Sequence, residues 1–181
     1  MACNSIVALP RVCSDGNIGG LEKAYLIAFK DLKAITSATT EVYSASTNGT
    51  VVTVGLQSGK TFVEVGLLKS TSGLAEKATI DPTKDQAFFT QTYTLALGGL
   101  SVENSTFINS IKNQPVALII KTRTGKYLVC GLNGQFNAIN VEGGTGTVEG
   151  DMVGYTITME GFSSSVAPFL DPTILSGLIA A

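Results

Sequence analysis

Residues 87–97 read AFFTQTYTLAL. Phe89, Tyr93, Leu95 and Leu97 fall on one side of this stretch, and Thr90, Thr92 and Thr94 on the other. A period of two is the mark of a strand with one buried face. Gln91 is the misfit on the apolar side. A long two-faced strand in the middle of the chain predicts a mainly β protein, and the flanking sequence can be read outward from it.

Gly98-Gly99 breaks the strand. Ser101 then caps a helix predicted over 101–113, with Glu103 in its first turn, where the helix dipole favours an acid. Val102, Ile108 and Ile111, with Phe107 alongside, give that helix an apolar stripe. Asn113-Gln114-Pro115 ends it. Residues 116–122 and 126–131 flank Arg123-Thr124-Gly125 as a hairpin. A further strand over 136–142 leads to a turn at Gly143-Gly144, and Tyr155, Ile157 and Met159 alternate with Thr156, Thr158 and Glu160 in a last strand.

Upstream, 51–56 and 61–68 are expected to pair as a hairpin around Gln57-Ser58-Gly59-Lys60, with Val63, Val65 and Leu67 on one face. The run from Leu21 to Phe29 reads as a first strand, and its near-continuous apolar character also suits a buried helix. Loops are expected through Ser72-Gly73 and 81–85. The sum is about eight or nine short strands and one packed helix, an antiparallel β-sandwich or barrel. Its body spans 21–162, between an extended arm over 1–20 and a C-terminal arm over 163–181. The apolar stretch 174–181 is too short to span a bilayer and reads as a tail docked on a neighbour.

Apolar residues make up 44% of the 181 residues and charged residues only 14%. That excludes disorder, which requires high charge and low hydrophobicity. It also suggests that copies or partners cover much of the exterior. The net charge is −2, and the cations are scattered, with Lys121, Arg123 and Lys126 the densest group. Tight DNA binding needs a clustered basic face, which is missing. Three cysteines, Cys3, Cys13 and Cys130, are too few for a disulfide framework, although Cys3 and Cys13 could pair. The first residues lack a basic segment followed by an apolar run, so no signal peptide is expected.

Two glycine-rich stretches invite a ligand-binding reading. Gly55-Leu-Gln-Ser-Gly59-Lys60-Thr61 resembles a phosphate-binding loop. That motif needs four residues between its glycines and a helix after them; here there are three, followed by a strand. In 143–150, the third glycine counted from Gly144 falls at 150 rather than 149, and a strand follows, so the dinucleotide fingerprint is not met. Both are expected to be turn and bulge glycines. The chain has no histidine, which removes Ser-His-Asp and Cys-His catalysis and leaves a transition-metal site poorly supplied. Glu149 with Asp151, and Asp81 with Asp85, are the remaining carboxylate pairs, and each sits where acids commonly hydrogen-bond turn backbone. Asn48-Gly-Thr50 and Asn104-Ser-Thr106 fit the glycosylation sequon, with no secretory signal beside them. No catalytic residue, cofactor or metal is expected.

Several phrases together carry a likeness. They are the arm Cys13-Ser-Asp-Gly16-Asn-Ile-Gly19-Gly20-Leu21 leading to Tyr25-Leu26-Ile27, and the aromatic and Thr alternation of 88–97. The helix, the 116–130 hairpin and the closing Gly146-Thr-x-x-Gly150-Asp151-x-x-Gly154-Tyr155-Thr-Ile-Thr158 complete them. Over 13–162 the chain resembles the major tail tube proteins of tailed bacteriophages and prophages of Bacteroides-type bacteria. The resemblance implies a virion structural protein, assembled in the host cytoplasm. It would form hexameric rings that stack into a hollow tube with other tail proteins, and DNA would pass through the lumen without being gripped. By that reading the 1–20 arm, the 43–49 loop and the 70–86 loop lie at ring contacts. A mildly acidic wall would let DNA slide, and open sheet edges are natural sites for pairing between copies. The rival readings are a head-to-tail connector, a capsid decoration protein and, with no Trp to offer as a platform, a carbohydrate-binding module.

Overall fold

The computed structural model describes residues 19–37, 40–68, 71–84 and 86–179. The predicted arm lies outside the described residues except for Gly19 and Gly20, as do Cys3 and Cys13.

Two strands leave no face for water. In β1 (Leu21–Ala28) and β7 (Val116–Thr122), antiparallel neighbours, Leu26 stands opposite Leu118 and Tyr25 opposite Ile119. Ala24, Leu26, Leu118 and Ile120 enter one core, whereas Tyr25, Ile27, Ala117 and Ile119 enter another on the far side of the sheet. A strand buried on both faces reads as an unbroken apolar run, which is why 21–29 also resembled a buried helix. β4 (Val63–Val65) flanks β1, and β8 (Tyr127–Cys130) flanks β7. The first sheet therefore has the order β4-β1-β7-β8, antiparallel throughout.

The second sheet covers the first core. It consists of β5 (Gly73–Asp81), β6 (Gln86–Gly98), β10 (Gly154–Ser163) and β9 (Asn137–Gly144), in the order β5-β6-β10-β9. Tyr93, Leu95 and Leu97 of β6 join Ile157 and Met159 of β10 against the first sheet. Burying side chains of this size contributes about 1.5–3 kcal/mol each. Gln91 is buried with them, 3% exposed, and its Nε2 donates to Glu76 Oε1 at 2.9 Å. The misfit of the sequence pattern is thereby spared the cost of an unpaired buried amide.

The second core is closed by a ribbon of β2 (Tyr43–Ala45) and β3 (Val51–Val54), and by the chain after β10. Segment 168–171 lies between β8 and β3 as an added stave. Val129 N donates to Pro168 O and Leu170 N to Tyr127 O, both at 3.0 Å. On its other side Val51 N donates to Phe169 O at 2.7 Å, and Asp171 N to Val51 O at 2.9 Å. A short helix, α2 (Leu175–Leu178), follows and seats Leu178 in the core.

The predicted helix is α1 (Val102–Ile111). Ser101 Oγ accepts from Asn104 N at 3.1 Å as its cap. Asn104, of the second sequon, spends its amide on Gly98 O and Gly99 O at 3.0 and 2.8 Å. Ile111, Ile108 and Phe107 pack on the first core, but Val102 is 78% exposed and is no part of the stripe.

Other expectations are corrected. Residues 51–56 and 61–68 do not pair: β3 pairs with β2 and β4 with β1, and the turn at 57–60 carries the chain from the ribbon to the first sheet. Gly55 makes that passage possible, because a Cβ there would lie 2.1 Å from Lys33 O. Val63 points outward while Phe62 and Val65 are buried. The 70–86 stretch, read as a loop, is mostly β5, paired to β6 from Gly73 opposite Thr94 to Asp81 opposite Gln86. Gly143 and Gly144 belong to β9 rather than to a turn. The stretch 174–179, expected on a neighbour, packs on its own fold: Phe62 N donates to Leu178 O at 2.7 Å. The fold class stands as expected, a mainly β, antiparallel sandwich with one packed helix, with ten strands among the described residues.

Tyr93 is fully buried, and its hydroxyl has no hydrogen-bond partner among the described residues. A buried hydroxyl without a partner costs about 1–3 kcal/mol. Tyr93→Phe keeps the ring and removes that cost, so it is expected to raise the midpoint of urea unfolding. A lower midpoint would mean that the hydroxyl is satisfied after all.

Candidate assembly surface

The two sheets differ in what their margins expose. On β8 the outer edge is taken by 168–171, as is that of β3. Nothing among the described residues pairs with the outer edge of β5 or of β9. These strands are nine and eight residues long. Unpaired margins of that length are templates for another strand.

Each open margin also carries an exposed isoleucine. Ile80 of β5 is 72% exposed and Ile139 of β9 is 58% exposed. Ile139 sits where β9 shifts register between Asn140 and Ala138, so it is the extra residue of a bulge. β5 and β6 continue past the end of β10, whose last partner is Phe89. Ile80 belongs to that projecting hairpin.

The outer face of the second sheet follows from its register. Thr90, Thr92 and Thr94 of β6 lie beside Thr156 and Thr158 of β10, half-buried by one another, with Lys77 and Glu160 at the flanks. At one end Phe88 and Phe162 meet edge to face, with ring centroids 5.9 Å apart. The charge is lopsided. No Lys or Arg follows Lys126, while Glu142, Glu149, Asp151, Glu160 and Asp171 do, so the β9–β10 side is weakly acidic.

The residues flagged for chemistry serve the framework. Asp151 Oδ2 accepts from Thr147 N at 2.7 Å, Thr147 Oγ1 at 3.0 Å and Val148 N at 3.1 Å, closing the loop after β9. The Thr147 backbone donor first, and then that of Val148, holds its pKa below the ordinary aspartate value. Asp81 does the same in the β5–β6 turn. Its pKa is lowered chiefly by the Thr83 hydroxyl and then by Lys84, 3.2 Å away. Asp85 lies outside the described residues. Gly59 and Gly146 have φ of +74° and +70°, as turn glycines. Lys60, the lysine of the phosphate-loop likeness, sits 3.5 Å from Asp31.

Lys121, of the densest cation group, is engaged by Glu22 at 2.9 Å. Cys130 shares a hollow of about 210 Å³ with Gln91, and burial first, then the charge of Glu76, pushes its thiol up to about 12. At neutral pH it is no thiolate nucleophile. Among the described residues no group of three or more Asp, Glu, Cys or His side chains could hold a metal ion.

Of the three segments expected at contacts, 43–49 is β2 and its turn, beside the second core, and 70–86 supplies the β5 margin. The strand expected over 136–142 is β9, which continues through Gly143 and Gly144. Neither the protein-family models, nor the curated proteins, nor the solved structures compared with this chain match it.

Two outcomes are expected. Because Ile80 and Ile139 are exposed, Ile80→Lys and Ile139→Lys are expected to change unfolding free energy by no more than about 0.5 kcal/mol, and to lower any self-association that light scattering finds in the parent chain. For Asp151 the folded pKa is depressed. Its contribution is therefore complete above the unfolded value of about 3.9 and is lost as pH falls through the lowered folded value. Exchange protection at the Thr147 and Val148 amides is expected to persist at pH 5 and disappear in acid, and to be absent at both pH values in Asp151→Ala.

Proposed function

We propose that this chain is a virion structural protein that self-assembles head to tail into rings, six-fold by the family resemblance, stacked as the tube of a phage tail. One observation carries the reading. The second sheet has an even number of alternating strands, so its two margins, β5 and β9, unpaired among the described residues, run in opposite directions. A copy placed beside it by simple rotation sets its β5 antiparallel to the first copy's β9, and the ladder continues unbroken. Such a heterologous contact uses two different patches and closes into a ring when the rotation permits.

In this arrangement the threonine face of the second sheet lines the lumen. Hydroxyls keep such a wall wet, and its sparse, weakly acidic charge offers DNA phosphates no cluster of cations. DNA then slides through without specific binding. The projecting β5–β6 hairpin, with Ile80 beyond the body of the sheet, reaches the ring above or below.

Negative-stain electron microscopy of concentrated protein decides this. Stacked rings of uniform diameter are expected. A single closed ring that never stacks would turn the reading to a connector, and dispersed single molecules at high concentration would end it.

A further inference from the structure

We propose that segment 164–179 is an edge guard: it occupies the outer edges of β8 and β3 and reaches the residue before β4, steering a second copy to the second sheet. Unpaired strand margins pair indiscriminately unless they are covered, shortened or charged. The backbone hydrogen bonds show the first device. On β8, the Val129 N–H and the Tyr127 carbonyl are consumed by Pro168 and Leu170. On β3, the Val51 N–H and carbonyl are consumed by Phe169 and Asp171. The far end of the same segment reaches the opposite margin, where Phe62, just before β4, donates to Leu178 O. What remains of β4 is three residues, with Glu64 tied to Lys23 of β1 at 3.0 Å. That is the second device.

The guarded strands are the ones that most need it. Residues 127–130 read YLVC, and 116–120 of the neighbouring strand read VALII, without a charge between them. Short, uncharged, β-prone segments of this type aggregate when exposed. β5 and β9, left open, carry Lys77 and Glu142 within their spans instead.

The guard is fastened at intervals. Ala167, Leu170 and Leu178 are 4%, 3% and 5% exposed. Glu76 Oε1 accepts from Ala167 N at 2.7 Å. This inference concerns which margin is closed, and it holds whether or not the open margins build a tube.

Leu128 and Phe169 face each other across an isolated antiparallel bridge, a pairing that suits a disulfide. Leu128→Cys with Phe169→Cys, in a Cys3→Ser, Cys13→Ser background, locks the guard in place. The buried Cys130 thiol stays out of the exchange. The locked protein is expected to keep the association state of its parent, and to raise the onset of heat-induced scattering by about 5 °C or more until reductant is added. Leu170→Asp is expected to give the converse: polydisperse aggregates at room temperature, with fast hydrogen exchange at the Val129 amide. The proposal is overturned if locked and reduced forms begin to scatter at the same temperature, or if locking changes the association state. It also fails if Leu170→Asp exposes the Val129 amide while the protein stays as dispersed as its parent. Should Leu170→Asp not fold, the locked form alone decides.

Discussion

Strands β1 and β7 turn apolar side chains to both sides, and neither side can be left in water. Ala24, Leu26, Leu118 and Ile120 require a lid on one face, and Tyr25, Ile27, Ala117 and Ile119 require another on the opposite face. The second sheet answers the first demand. The β2–β3 ribbon is too small to answer the other alone, so the chain after β10 runs back to complete it, placing Leu170 and Leu178 in the gap. From this follows the difference between the sheets. The first is enclosed and has its β8 edge occupied, whereas the second, among the described residues, keeps one face and two margins open.

That difference also organises the charge. Only 14% of the residues are charged, and several charges of the first sheet are paired there, Lys23 with Glu64 and Lys121 with Glu22. Exposed pairs of this kind stabilise little, but they keep one part of the surface wet. The second sheet has threonines where charge would otherwise stand. Interface centres are depleted in charge because a desolvated ion is costly. Neutral hydroxyls and the exposed Ile80 and Ile139 would suit the second sheet to the assembly proposed for it.

Where one face was buried and the other wet, the pattern was legible. The alternation of 87–97 and 155–160 located β6 and β10, Ser101 located the start of α1, and Gly125, with φ of +80°, located the β7–β8 turn. Strands without that contrast escaped. β5 reads GLAEKATID because most of it is exposed on both faces, so its pairing with β6 left no periodic trace. The hairpin expected around 57–60 failed for another reason. Its turn chemistry is real, but strand partners are set by long-range contacts, and β3 and β4 each found one elsewhere. The stave at 168–171 was invisible in the same way, since its hydrogen bonds go to strands about forty residues or more away in sequence. β9 was legible over 136–142 but not at its end, where Gly143 and Gly144 read as a turn.

Gln91 shows how a local misfit can encode a global link. An amide in the apolar row of β6 weakens the core unless something reaches it, and Glu76 does so from the neighbouring strand β5. The same carboxylate oxygen accepts from Ala167 N, on the segment that closes the first sheet. One acid therefore joins an open margin to the device that keeps the other sheet shut. A leucine at 91 would fill the space but remove that link, leaving Glu76 tied to Ala167 N alone. The polar residue is thus the cost of connecting two sheets through side chains, and β5 is tied through Glu76 both to β6 and to the segment after β10.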